Sequence, residues 1–317
     1  MPTRLSILTL SATLLAIGCE KQTPPPTNPE PVAAAEPTKP PAKPIPDGYF
    51  TLTPMLTVKG VDAAVEFYGK ALGATKTFGF PGPDGKTVHA EIKIGDSIVM
   101  LDEEMPGGNK SPGTLGGNPA ALMVYVDKVD DTVTAATAAG ATIEGAVADT
   151  FWGDRVGTVV DPFGHRWVIS THTEDLTPEQ MQQRFALAMP ADAKKAKKLK
   201  KDAKKGKPPE WKKIAGTPAT ATKPAEYHSV TLSLVSNDAA STIEFYKAAL
   251  GATERGRMPD PTGKIAHAEL VLGTSNFFVT DEYPEMGAKS AATVGGSPVS
   301  MMVYVEDVDG AFAKATT

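Results

Sequence analysis

The chain repeats itself at an offset of 178 residues, and this repeat limits what it can fold into. Val65-Glu66-Phe67-Tyr68 and Ala71-Leu72-Gly73-Ala74-Thr75 return as Ile243-Glu244-Phe245-Tyr246 and Ala249-Leu250-Gly251-Ala252-Thr253. Pro83, Gly85, Lys86, His89, Ala90 and Glu91 match Pro261, Gly263, Lys264, His267, Ala268 and Glu269 in the same way. After a one-residue slip, Lys110-Ser111, Gly116-Gly117 and Val124-Tyr125-Val126 meet Lys289-Ser290, Gly295-Gly296 and Val303-Tyr304-Val305. The first copy, with a closing helix, spans 48–187, and the second spans 227–317. Thr317 corresponds to a mid-helix position near Ala138, so the second domain reads as truncated and the chain as a fragment of a longer protein.

Within the first copy, one pattern occurs twice: a strand, a helix, then three strands. Phe50–Thr57 alternates like a strand, and Val61–Leu72 has apolar residues at helical spacing, with Gly73 as its stop. Strand-like runs follow at 75–80, 86–94 and 97–102, then a Gly/Pro loop over 105–118. A strand at 120–126, a helix at 128–139 and strands near 142–148, 154–160 and 165–171 complete the copy. Helices alternating with antiparallel strand groups predict α+β architecture.

These units resemble the vicinal oxygen chelate (VOC) superfamily, the glyoxalase, bleomycin-resistance and ring-cleaving dioxygenase proteins. The phrases EFYGKALGA, PDGKTVHAEIKIGDS, FWGDRVGTVVDPFGHRW and LTPEQMQQRFA are similar to its PhnB-like subgroup. The resemblance implies tandem domains, each with two βαβββ units curled into a U-shaped sheet around a cleft for small molecules. It also implies that such domains pair within a chain or as a homodimer. Metal-dependent members place four His or Glu ligands in that cleft, a set suited to divalent transition metals. The flanking motifs put these positions at or near Thr53, Glu91, Ala121 and Val168, and in the second copy at Thr231, Glu269 and Ser300. Only the glutamates are competent ligands. The expectation is therefore a cleft without the usual metal site, with Glu91 as the one weak candidate for a divalent ion.

Strand alternation sets His89, Glu91 and Lys93 on one face, opposite Val88, Ala90, Ile92 and Ile94. The aliphatic face belongs under the helices, which turns the polar face to the cleft. His89 and Glu91, about 7 Å apart along the strand, can share one ligand or proton. A half-exposed strand with a structural imidazole fits the same pattern, and both readings carry over to His267 and Glu269. Tyr125 and Met123 share the cleft face of their strand. In Phe151-Trp152-Gly153-Asp154-Arg155, Trp152 offers a flat wall and Arg155 an anion fork. The alternative is that Trp152 caps the core while Arg155 pairs with Asp154 or Asp161. His165 reads as structural, His172 carries no signal, and His228 falls just short of the first-ligand position.

Outside the repeat, residues 1–19 have one early charge, Arg4, then an apolar run too short to span a bilayer. Leu15-Ala16-Ile17-Gly18-Cys19 resembles a bacterial lipobox, which implies lipidation of Cys19, export and anchoring at the membrane, with the outer membrane favoured because Glu20 follows. Residues 20–47 form a Pro-rich linker, ten prolines falling within 24–46. Residues 188–226 are the Lys-rich linker. Eleven lysines against Asp202 and Glu210 give 194–213 a local charge of +9, whereas the whole chain carries -5. That segment reads either as a solvated spacer or as a contact for anionic headgroups. Export and the acidic remainder exclude nucleic acid as a partner. Cys19 is the sole cysteine, so no intrachain disulfide and no cysteine zinc cluster can form. No Walker loop, dinucleotide fingerprint or serine-nucleophile motif occurs. Three readings remain: a metal-free small-molecule binding module, a lyase, isomerase or thiol-transfer enzyme using Glu91, and a scaffold.

Overall fold

The computed structural model describes residues 43–190 and 192–316. Cys19, the export signal and most of the Pro-rich linker lie outside the described residues.

The first unit is β1 (Leu52–Val58), α1 (Val61–Leu72), β2 (Thr75–Pro81), β3 (Thr87–Ile94) and β4 (Ser97–Glu103). A short α2 (Pro112–Leu115) interrupts the expected loop before the second unit: β5 (Ala120–Tyr125), α3 (Val129–Ala138), β6 (Thr142–Asp149), β7 (Asp154–Val160) and β8 (Arg166–His172). The connecting segment holds β9 (Glu174–Asp175), α4 (Pro178–Ala188), α5 (Ala193–Lys204) and β10 (Thr217–Pro218). The second copy contributes β11 (Val230–Ser236), α6 (Ala239–Leu250), β12 (Thr253–Pro259), β13 (Ile265–Leu272), β14 (Ser275–Asp281), α7 (Ala291–Val294), β15 (Val299–Val303) and α8 (Val308–Thr316).

Local chemistry explains the ends of these elements. Helix α1 buries Val61, Ala64, Phe67, Tyr68 and Ala71, one apolar stripe at helical spacing. Gly60 precedes it and has no side chain to cap the first turn. The Glu103 carboxylate does so from β4, accepting from the Gly60 and Val61 amides at 2.9 and 3.0 Å. Helix α4 starts with a capping box in which Thr177 and Gln180 exchange bonds.

The strand order corrects one expectation. Each copy was expected to curl its own two units into a U. Instead, one sheet of eight strands runs β12-β13-β14-β11-β5-β8-β7-β6, joining the second unit of the first copy to the first unit of the second. The other sheet runs β15-β1-β4-β3-β2, so β15 of the second copy completes the first unit of the first. Strand β5 lies antiparallel to β11 with Met123 opposite Thr231, and β1 lies antiparallel to β15 with Thr53 opposite Met302. Sequence periodicity does not distinguish the two pairings, because β1 and β11 present equivalent edges.

Reciprocal contacts between the β3–β4 and β13–β14 turns choose between them. Ser97 Oγ accepts from the Val230 amide (3.0 Å), and Ser275 Oγ accepts from the Leu52 amide (2.9 Å), positions related by the repeat. Likewise Asp96 Oδ1 accepts from the Ser229 amide (2.6 Å) and Thr274 Oγ1 from the Thr51 amide (3.1 Å). Phe50 and His228, also equivalent, stack with ring centroids 3.3 Å apart. Gly95 and Gly273 sit at φ 59° and 55°, where a Cβ would stand 2.1 Å from Ser229 Oγ and 2.2 Å from Thr51 Oγ1.

Part of the 188–226 linker packs on α4. Trp211 is buried, the Arg184 guanidinium lies 5.3 Å from its ring, and Arg184 donates to the Ile214 carbonyl (2.7 Å).

Expressed alone, residues 48–187 leave the β1 and β5 edges without their partners. Light scattering should give twice the monomer mass, and Gly95→Ala should weaken that dimer. A monomeric product would show instead that one copy closes its own sheet.

Candidate functional site: two clefts shared between the copies

Each sheet has one face under helices and one concave face. Alternation sends Ala90, Ile92, Val99 and Leu101 into the core and His89, Glu91, Met100 and Asp102 to the concave side. In the eight-stranded sheet the same rule points Met123, Tyr125, Thr231, His267, Glu269 and Phe278 to the concave side. His89 and Glu91 therefore stand in one cleft, and His267, Glu269 and Tyr125 in the other.

Each cleft holds a glutamate with two tyrosines. Tyr49 donates its hydroxyl to Glu91, and its ring packs edge-on to Tyr304 at 5.7 Å. In the second cleft Tyr227 lies beside Glu269, whose charge acts on its phenol, and its ring lies 5.9 Å from Tyr125. Burial first, then the adjacent carboxylate, pushes the Tyr49 and Tyr227 phenols above their ordinary range. Both stay protonated and able to donate. Tyr49 and Tyr227 were not singled out from the sequence, although they obey the 178-residue offset and each stands two residues ahead of the seam residues Thr51 and Ser229.

The clefts differ around this shared set. His89 donates from Nδ1 to Asp102 (2.6 Å), and its Nε2 lies 3.8 Å from Glu91. In the second copy Thr280 stands where Asp102 does, and His267 has no hydrogen-bond partner among the described residues. It packs on Phe278 at 4.7 Å, and burial pushes its pKa down to about 4. Glu269, unlike Glu91, is paired with a guanidinium, Arg255 Nη1 at 2.5 Å.

Tyr125 and Trp152 spend their polar atoms on Asp154. Asp154, only 2% exposed, accepts from Tyr125 (3.1 Å), Trp152 (3.2 Å), Ser170 (2.8 Å) and His172 (2.8 Å). This follows from burial, since an ionised carboxylate inside a sheet must be surrounded by donors. His172 donates through its other nitrogen to Asp175 (2.9 Å). Burial opposes its charge, but the Asp175 and Asp154 bonds outweigh that and hold its pKa above the ordinary value. Arg155 is not in either cleft. It lies on the helix side of β7, forked onto Asp130 (2.7 and 2.8 Å) and bonded to Asp149 (2.9 Å), rather than Asp154 or Asp161. His165 is fully buried, with Nε2 at 3.0 Å from the Thr57 carbonyl, and His228 belongs to the seam.

The cross-copy pairing regroups the four ligand positions. Thr53, Glu91 and Ser300 share one cleft; Ala121, Val168, Thr231 and Glu269 share the other. Each set has one carboxylate, already bonded to tyrosine or arginine, and hydroxyls or aliphatic groups elsewhere. Among the described residues no cluster of three His, Cys, Asp or Glu could hold a metal ion. These donors do not fit a divalent transition ion.

The depressed His267 pKa makes a testable statement about stability. The folded value lies below the 6.5 of a free imidazole, so the unfolded state binds more protons in between. Stability should fall as the pH drops from 6.5 towards 4, by up to about 3 kcal/mol. The difference between urea midpoints at pH 7 and 4.5 should shrink in His267→Gln.

A family model for the glyoxalase/bleomycin resistance protein/dioxygenase superfamily matches residues 51–169. An uncharacterized protein of Mycobacterium bovis is 38% identical over 135 residues, which is 41% of this chain and 89% of that protein. Protein YjdN of Escherichia coli is 27% identical over 142 residues, 38% of this chain and 93% of its own length. Among solved structures, glyoxalase I from Zea mays superposes with a TM-score of 0.50 at 16% identity, over 84% of this chain and 77% of that one. Its E144Q variant gives 0.51 at 15%, over 84% and 80%. At such identity the likeness is one of fold. Sequence and architecture together place the chain in the glyoxalase/bleomycin resistance protein/dioxygenase superfamily.

Proposed function

We propose that this chain is an exported, lipid-anchored, PhnB-like member of the superfamily that binds a small organic molecule in its sheet clefts without a metal ion. The observation that carries the reading is the recurrence of one glutamate and two tyrosines in both clefts. Glu91 is committed to the Tyr49 phenol, and Glu269, beside Tyr227, to Arg255. Such a set orients a ligand through hydrogen bonds and aromatic walls. It lacks the open, multiply charged coordination that a catalytic ion requires. Tyr125, Trp152, His267 and Phe278 contribute surface more than charge. The anchoring part of the proposal rests on the lipobox-like Cys19 and the Pro-rich spacer behind it.

Native mass spectrometry of the full chain tests the binding reading. The expected result is an apo mass or an organic adduct, unchanged by chelator. One transition-metal ion per chain, removed by EDTA and lost in Glu91→Gln, would replace this reading with a metal-dependent lyase, isomerase or thiol-transfer enzyme. For anchoring, Cys19→Ser should move the protein from the membrane to the soluble fraction in a bacterial host. Equal partition of the two forms would refute the lipid anchor.

A further inference from the structure

The first copy contains a groove whose lining residues the second copy replaces. It has a volume of about 470 Å³, and all the residues lining it fall between Thr57 and Asn109, so one βαβββ unit and its following loop build it. Phe80, Pro83, Val88 and Met105 form apolar walls, and His89 and Asp102 stand at the polar end. Phe80 is half exposed, with its ring 5.9 Å from the imidazole.

The equivalent positions in the second copy carry different side chains. Tyr283 replaces Met105, and its hydroxyl bonds Asp260 (3.1 Å), which stands in place of Gly82. The Lys264 ammonium covers the Tyr283 ring at 5.1 Å. Met258 replaces Phe80 and Thr280 replaces Asp102. The Phe80–Met105 wall and the Asp–His pair therefore occur together in the first copy and are replaced together in the second.

The charges at this groove have one sign. Glu103, also in the lining, spends its carboxylate on the start of α1. Asp102 bonds His89 through Oδ1 alone, leaving Oδ2 without a partner among the described residues, and Glu91 lies just beyond the imidazole. Among the described residues no lysine or arginine lines the groove. At the polar end two carboxylates, Asp102 and Glu91, flank the one imidazole. A cation on an apolar body satisfies both ends, through a charge-assisted bond to the carboxylate and contact with an aromatic face.

Resting on the small-molecule reading above, we propose that this groove binds an organic amine, its ammonium against Asp102 and its apolar body between Phe80 and Met105. The test uses the full chain with 13C-methyl methionine, the Met105 signal being assigned by its loss in Met105→Leu. Titration with 2-phenylethylamine should shift the Met105 methyl saturably, and 3-phenylpropionate, of similar shape and opposite charge, should not. Asp102→Asn should weaken amine binding by about tenfold or more, and Phe80→Met, which copies the second repeat, by about threefold. Equal responses to the two probes, or an unaffected Asp102→Asn variant, would overturn the proposal. A shift at Met123 with none at Met105 would place binding in the other cleft, removing the groove assignment while leaving the small-molecule reading intact. Silence at both methyls would overturn the groove assignment, and the mass measurement would then decide the broader reading.

Discussion

The rest of the architecture depends on the reciprocal seam between the β3–β4 and β13–β14 turns. Ser97 and Ser275 each satisfy an amide at the start of the other copy's first strand. A buried amide left unpaired costs about 1–3 kcal/mol, so these bonds are worth more as a selector than their net strength suggests. They align β1 and β11 about a local twofold axis. With those strands in place, β5 continues the sheet at β11, and β15 at β1. The left-handed glycines at 95 and 273 permit the approach, since a side chain at either would strike the hydroxyl opposite.

Much of this was legible in the sequence, for a physical reason. Repeats and period-two alternation are local signals, and they located β1 to β8 within a residue or two and put His89 and Glu91 on one face. Pairing between units is not local. An edge strand reads identically whether its partner lies in its own copy or the other, so the cross-copy sheet was not legible. Site chemistry failed in a similar way. Arg155 reads as an anion fork, but β7 turns it to the helix side, where Asp130 and Asp149 take up the guanidinium. Asp102 lies thirteen residues from His89 and comes beside it only across the β3–β4 ladder. Tyr49 and Tyr227 were readable in principle, since the repeat pairs them, but nothing in a lone tyrosine before a strand indicates a carboxylate partner.

The same seam explains how two clefts in one chain have diverged. Both inherit a glutamate, a tyrosine from the same unit and a tyrosine from the other copy. Around that constant set the charge has moved in opposite directions. The first cleft has Asp102 beside its histidine and Thr77 where the second has Arg255; the second has Thr280 and an arginine on its glutamate. One imidazole is held between two carboxylates, and the other is desolvated against Phe278. Because each cleft draws on both copies, a substitution in either copy reaches only one side of a given site, and the sites can drift apart without disturbing the seam.

Asp154 shows the cost of keeping charge inside such a sheet. Its carboxylate gathers four side-chain donors, among them Tyr125 and Trp152. Those two side chains are thereby fixed in orientation, with their polar atoms turned inward. A rigid wall loses little entropy when a flat molecule settles on it, which is how a residue that makes no polar contact can still set affinity. His172 continues the network to Asp175 and so ties the end of β8 to the strand before α4. The polar core at one end of the sheet therefore serves to hold aromatic side chains still, beside Glu269, Tyr227 and His267 on the same face.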